Sequence, residues 1–167
     1  MDRFKAANKA SILGMTGNIF LFIIKLIVGF ISRSQAMIAD AFNSASDILS
    51  SIMTYIGNRV ASKEADEDHN LGYGKAEYIY SMLISITMMV LGITILIDSI
   101  KAIIDPNKFH FTIWLVIVCL VTILVKLSLY LYTRTIGKKY NNLLVEANSK
   151  DHRNDIILSL GVIIGVI

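Results

Sequence analysis

The chain has 167 residues, 54% of them hydrophobic, and a mean hydropathy of +0.61, which excludes an ordinary soluble domain and indicates an integral membrane protein. The net charge of +3 does not indicate nucleic acid as a partner, because no basic patch with interleaved aromatic residues accompanies it.

Five apolar segments have the roughly 20 residues needed to cross a lipid bilayer, which predicts an all-α transmembrane helix bundle. The segments lie near residues 10–32, 36–60, 77–104, 111–134 and 142–167. Lys25 and Lys126 interrupt the first and fourth segments, and we expect both ammonium groups to reach the lipid–water interface. The single cysteine, Cys119, excludes a disulfide bond within the chain.

Basic side chains are concentrated before the first segment and in the second and fourth connections. These residues are Arg3, Lys5, Lys9, Arg59, Lys63, Lys75, Arg134, Lys138 and Lys139. The first and third connections carry only Arg33, Lys101 and Lys108. By the positive-inside rule, this asymmetry predicts a cytoplasmic N-terminus. We expect a multi-pass protein of a bacterial cytoplasmic membrane.

The second and fifth segments each carry two oxygen-bearing side chains four residues apart. Asn43 and Asp47 form the first pair, and Asp151 and Asp155 form the second. Residues at i and i+4 share one face of a helix, so each pair points in one direction. A carboxylate at the bilayer centre costs on the order of 3 kcal/mol or more, so such residues usually line a pathway or site. The two pairs therefore predict a site for a hard divalent cation.

The chemistry of these four side chains narrows the choice of metal. Zinc sites favour imidazole and thiolate ligands, whereas ligand sets made only of oxygen suit magnesium, calcium or manganese. We expect no organic cofactor. Two carboxylates about 5 Å apart at an effective dielectric constant near 20 repel each other by about 3 kcal/mol. Three in one cavity should therefore hold at least one proton, which an arriving cation displaces, and this predicts exchange of metal for protons.

Three further side chains lie near the predicted ligands. Asp40, three residues before Asn43, shares its helix face and is a candidate for a vestibule of the site. Asn18 either supports the ligands or makes a hydrogen bond between helices. His152 follows Asp151 directly, and the rotation of about 100° per residue turns its ring away from the ligands. We expect His152 to form a hydrogen bond at the flank of its helix or to another helix, and it is also a candidate for a position that supports the ligands or lines a vestibule of the site.

Three stretches of the sequence resemble the cation diffusion facilitator family. They read AMIADAFNSASDILSS at 36–51, ADEDHNLGYGKAE at 65–77 and NSKDHRNDIILSLGVIIG at 148–165. The resemblance implies six transmembrane helices, a cytoplasmic C-terminal metal-binding domain, and a homodimer that exports divalent metals, commonly in exchange for protons. It further implies that this chain contains five of the six helices and lacks the sixth helix and the C-terminal domain.

The resemblance also assigns residues. The positions that match the transport site of the family are Asn43, Asp47, Asp151 and Asp155. Members that export zinc usually carry histidine where this chain has Asp151, and an aspartate there resembles the manganese branch. Together with the oxygen-only ligand set, this predicts Mn²⁺ as the transported substrate, with Zn²⁺, Fe²⁺, Co²⁺ and Cd²⁺ as secondary ions.

Asp66 and His69 match positions of a second metal site in the loop of some family members. The third position of that site is Tyr73 here, and a neutral tyrosine is a poor metal ligand, so the loop site is disfavoured. An intramembrane aspartyl protease would also use membrane aspartates. The only Gly-x-Gly of the chain, at 72–74, leads into Lys75 instead of aspartate, so we expect a transporter and not an enzyme.

The fifth segment runs to Ile167 without a polar tail, and we expect the chain to be part of a longer protein. Two alternatives to a manganese exporter stay open. One is a zinc or iron exporter of the same family. The other is a truncated subunit that does not transport and serves as a scaffold.

Overall fold

The computed structural model describes residues 3–33, 35–67, 69–104 and 113–166. Within these ranges the chain forms five α-helices: α1 (Arg3–Ser32), α2 (Gln35–Ala61), α3 (Ala76–Ile104), α4 (Ile113–Tyr140) and α5 (Leu143–Val166). The predicted all-α bundle is confirmed.

The first helix begins well before the predicted apolar segment. Its first turns carry Ala6, Ala7 and Ala10, which are buried against Ile136 of α4 and Val145 of α5. Alanine favours the helical conformation and, being small, lets neighbouring backbones approach closely. The helix is therefore extended by packing outside the apolar segment, which hydropathy alone does not reveal.

Helices α1 and α2 form one hairpin, and α4 and α5 form a second. The two turns contain Arg33 and Asn141, whose φ angles are 51° and 49°, so each lies in the left-handed region that commonly ends a helix. The hairpins meet where α1 contacts α4 and α2 contacts α5, and α3 covers α2 and α5. This topology brings the two helices with the predicted ligand pairs together inside the bundle.

Three of the described helices contain a stretch long and apolar enough to cross a membrane. These stretches are Arg3–Ser32, Ala76–Ile97 and Ile113–Tyr140. The outward side of α3 is lined with exposed apolar residues, among them Met82, Ile86 and Ile93, as expected for a surface in contact with lipid. Helices α2 and α5 are more polar, because they carry the predicted ligands.

The end of the bundle nearest the N-terminus is closed by a layer of hydrogen-bonded asparagines. Asn58 of α2 donates to Asn8 Oδ1 over 2.7 Å and to the Phe4 carbonyl over 3.1 Å. Asn142 Nδ2 donates to Asn58 Oδ1 over 3.1 Å, and Asn142 Oδ1 accepts from the Val145 N–H over 3.0 Å. Asn142 thus caps α5 and joins it to α2.

Candidate metal-binding site

The four predicted ligands line one cavity of about 300 Å³ between α2, α3 and α5. Asn43 and Asp47 project from α2, and Asp151 and Asp155 project from α5. The i, i+4 spacing places both members of each pair on the face that borders this cavity. Apolar residues of α3, such as Leu91, form the opposite wall.

Lys126 of α4 holds two of these carboxylates. Its Nζ atom lies 2.7 Å from Asp47 Oδ2 and 2.5 Å from Asp155 Oδ2, and its side chain is only 1% exposed. The expectation that this ammonium group reaches the membrane interface is therefore wrong. The carboxylates of Asp47 and Asp155 pair with the ammonium group of Lys126 inside the bundle, so the lysine side chain does not extend to water.

Lys25 of α1 departs from the same expectation. It pairs with Asp40 of α2 over 2.9 Å, and the lysine side chain is 3% exposed. Both residues line a second cavity of about 610 Å³ toward the α1–α2 turn, and Asn43, Asp47 and Lys126 line it as well. Asp40 therefore lies beside the ligand cavity, on the side of the α1–α2 turn.

Asn18 and His152 face the contacts between helices. Asn18 Nδ2 donates to Ser51 Oγ over 3.3 Å, which is one of the two alternatives predicted for Asn18, a hydrogen bond between helices. His152 is fully buried, and a Cβ atom built on Gly14 would lie 3.6 Å from its Nε2 atom. Neither ring nitrogen of His152 has a hydrogen-bond partner among the described residues, so that part of the chain does not supply the expected hydrogen bond.

The carboxylates do not surround a single ion position in the arrangement seen here. Within the four described ranges, no group of three or more histidine, cysteine, aspartate or glutamate side chains is arranged to hold a metal. The ammonium group of Lys126 lies between Asp47 and Asp155, while Asp151 Oδ2 is buried without a hydrogen bond. Because a cation already bridges two of the carboxylates, a metal ion can bind both only if Lys126 moves.

Asp66, His69 and Tyr73 meet in the loop between α2 and α3. Tyr73 donates its hydroxyl proton to Asp66 Oδ2 over 2.6 Å, and the backbone N–H of His69 donates to Asp66 Oδ1 over 2.8 Å. The hydrogen bond from Tyr73 holds the pKa of Asp66 below its usual value and raises the pKa of Tyr73. Both carboxylate oxygens are engaged, and the third position offers a protonated phenol in place of a ligand.

The role of Lys126 as a partner of the predicted ligands was not predicted from the sequence. The signal was available, because an ionisable residue inside a membrane segment usually pairs with another or faces a pathway. Two lysines and several carboxylates occupied the same apolar segments, so pairing among them was the alternative to reaching the interface.

The sequence of the chain is similar to those of known cation transporters. The cation efflux transmembrane domain matches residues 11–167. Magnetosome protein MamM of Magnetospirillum gryphiswaldense is 34% identical over 157 residues, which cover 93% of this chain and 49% of MamM. Manganese efflux system protein MneP of Bacillus subtilis is 30% identical over 167 residues, which cover 99% of this chain and 56% of MneP. The chain spans about half the length of these curated relatives. It is a multi-pass membrane protein that belongs to the cation efflux family.

Proposed function

We propose that the protein exports divalent metal cations, with Mn²⁺ as its main substrate. The ligands in this proposal are Asn43, Asp47, Asp151 and Asp155. The observation that carries it is that these four oxygen-bearing side chains, from two adjacent helices, line one cavity inside the bundle. A relative that covers nearly this whole chain is named a manganese efflux system protein, which supports the choice of ion.

The ligand chemistry supports manganese over zinc. The imidazole of His152 is packed beside Gly14, so it does not supply a nitrogen ligand next to Asp151. The remaining carboxylate and carboxamide oxygens suit Mn²⁺, which accepts octahedral oxygen coordination. Zn²⁺, Fe²⁺, Co²⁺ and Cd²⁺ would be secondary substrates, because affinity for most sites rises from manganese toward zinc.

We also propose that protons move in exchange for the metal. Three carboxylates line the ligand cavity, and one ammonium group, that of Lys126, faces them. A proton compensates part of the remaining negative charge, and a divalent cation displaces it on binding. Manganese uptake into inverted vesicles that neither uses nor dissipates a pH gradient would contradict this exchange.

We propose a direction of opening from the two ends of the bundle. The 610 Å³ cavity reaches Lys25 and Met37 at the α1–α2 turn, whereas the asparagine layer around Asn58 closes the other end. If the N-terminus is cytoplasmic, as the distribution of basic residues predicts, the larger cavity faces the outside. We propose that export requires alternation with a state open to the cytoplasm, in a homodimer.

Direct metal binding tests the proposed function. Purified wild-type protein and Asp47→Ala are titrated with Mn²⁺ and Zn²⁺ in detergent, and Glu146→Ala serves as a control on the exposed side of α5. We expect Mn²⁺ binding to the wild type and the control and its loss in Asp47→Ala. Absence of binding to all three proteins would favour a scaffold that does not transport.

A further inference from the structure

We propose that Lys126 acts as a tethered substitute for the transported cation. When no metal is bound, its ammonium group occupies the position between Asp47 and Asp155. An arriving metal ion displaces the ammonium group, which returns when the metal leaves and lets the empty carrier change its orientation. This inference rests on the proposed function and adds a role for a residue outside the four ligands.

The geometry of the ion pairs supports this role. Lys126 comes from α4, yet it bridges a carboxylate of α2 and a carboxylate of α5, over 2.7 and 2.5 Å. An ammonium group is a compact cation with three donors, so it can satisfy both carboxylates at once. A metal ion held by Asp47 and Asp155 would need the same space, so ammonium and metal exclude each other there.

The surroundings leave room for the displaced side chain. Lys126 lines the 610 Å³ cavity, which continues past Thr122 and Cys119 of the same helix to Asp40. A lysine side chain is flexible, with four carbons between the backbone and its charge. The carboxylate of Asp40 is 44% exposed, so the displaced ammonium group would move toward solvent and a second acidic residue.

The charges explain why such a substitute is useful. Asp47, Asp151 and Asp155 supply three carboxylates, and the ammonium group of Lys126 offsets one negative charge while no metal is bound. A proton offsets part of the rest, as proposed above. Without Lys126, the empty carrier would bury more uncompensated negative charge while it reorients, which the low dielectric of the bundle opposes.

The Lys25–Asp40 pair provides a matched comparison. Lys25 is also a buried membrane lysine on the wall of the same cavity, but its partner is not one of the four ligands. A general effect of removing positive charge near the cavity would appear in both lysine variants. Direct competition with the metal would appear mainly at Lys126.

The first test measures Mn²⁺ affinity of the full-length protein in detergent for the wild type, Lys126→Met and Lys25→Met. Methionine keeps much of the length of the lysine side chain without the charge. We expect Lys126→Met to bind Mn²⁺ about tenfold more tightly or more, and Lys25→Met to change less. Weaker binding in Lys126→Met, or an equal gain in both variants, would overturn the proposal. Failure of the wild type to bind Mn²⁺ would instead contradict the proposed function.

The second test separates the return of the empty carrier from movement of the loaded one. Proteoliposomes are assayed for net Mn²⁺ transport and for exchange of radioactive Mn²⁺ against unlabelled Mn²⁺, which does not require the empty carrier to reorient. We expect Lys126→Met to lose about tenfold or more of net transport while exchange is retained. Equal loss of both activities, or wild-type net transport, would overturn the proposal.

Folding of the variant is checked in the same experiment. We expect Mn²⁺ to raise the melting temperature of Lys126→Met more than that of the wild type, because the metal replaces the missing positive charge. If Lys126→Met folds only when it is purified with Mn²⁺, this also supports the proposal, because the metal then supplies the positive charge that the lysine provided. A Lys126→Met protein that stays unfolded with Mn²⁺ would identify Lys126 as a structural cross-link and overturn the proposal.

Discussion

The carboxylate of Glu77, at the start of α3, accepts a hydrogen bond of 2.7 Å from the backbone N–H of Leu143, the first residue of α5. The same carboxylate pairs with Arg3 Nη2 over 2.9 and 2.7 Å. Arg3 also donates to the carbonyl oxygens of Tyr140 and Asn141. One acidic side chain therefore joins α1, α3 and the turn between α4 and α5.

Replacing Glu77 with glutamine is predicted to lower the free energy of unfolding by about 1–3 kcal/mol. The substitution removes the charge that Arg3 requires and weakens the cap on α5. Thermal unfolding in detergent measures the change. Glu146→Gln is the control, because Glu146 meets Lys150 over 3.4 Å on an exposed surface, where a pair contributes at most about 1 kcal/mol. Equal losses in the two variants would contradict the role of Glu77.

Gly57→Ala is predicted to destabilise the contact between α2 and α3 by about 1–3 kcal/mol. A Cβ atom at Gly57 would lie 2.6 Å from both Cβ and Cγ of Tyr80, so one helix would have to shift. Gly161→Ala is the matched control, since a Cβ atom there meets no described atom within 4 Å. Thermal unfolding should show a lower melting temperature for Gly57→Ala and no decrease for Gly161→Ala. An unchanged melting temperature for Gly57→Ala would contradict the close packing.

Asp151→His is predicted to shift metal preference toward zinc by about tenfold or more, because it adds an imidazole ligand to the cavity. The ratio of Zn²⁺ to Mn²⁺ affinity, measured by competition in detergent, checks this. His152→Ala should leave the ratio unchanged, since that ring lies against Gly14. An unaltered ratio in Asp151→His would contradict the inference that the oxygen-only ligand set favours Mn²⁺ over Zn²⁺.

Tyr73→Phe is predicted to raise the pKa of Asp66 toward its usual value. The Tyr73 hydroxyl is the main cause of the lowered pKa, so removing it eliminates the strongest stabilisation of the charged form. In the wild type, this stabilisation of the loop is present above the usual carboxyl pKa and is lost as the pH falls through the lowered one. NMR titration of the Asp66 carboxyl carbon measures the shift, and no change in Tyr73→Phe would contradict the assignment.

The sequence predicted the five helices and the faces of α2 and α5, because hydropathy and i, i+4 spacing are local properties of a chain. It did not predict the partners of Lys25 and Lys126, or that the described residues would offer the His152 ring no hydrogen bond. The Lys126–Asp155 pair forms within one hairpin, but the Lys126–Asp47 pair joins residues 79 positions apart through the packing of two hairpins. Periodicity predicts which side of a helix is polar, but the tertiary arrangement decides which side chain of another helix pairs with the residues on that side.

The two ion pairs within hairpins also bear on how the chain enters a membrane during synthesis. Lys25 of α1 pairs with Asp40 of α2, and Lys126 of α4 pairs with Asp155 of α5. Each hairpin thus contains a cation and an anion that can neutralise each other before the hairpins meet. The polar helices α2 and α5 are therefore suited to insert together with their apolar partners, as two charge-matched units, and not as single helices delivered one at a time.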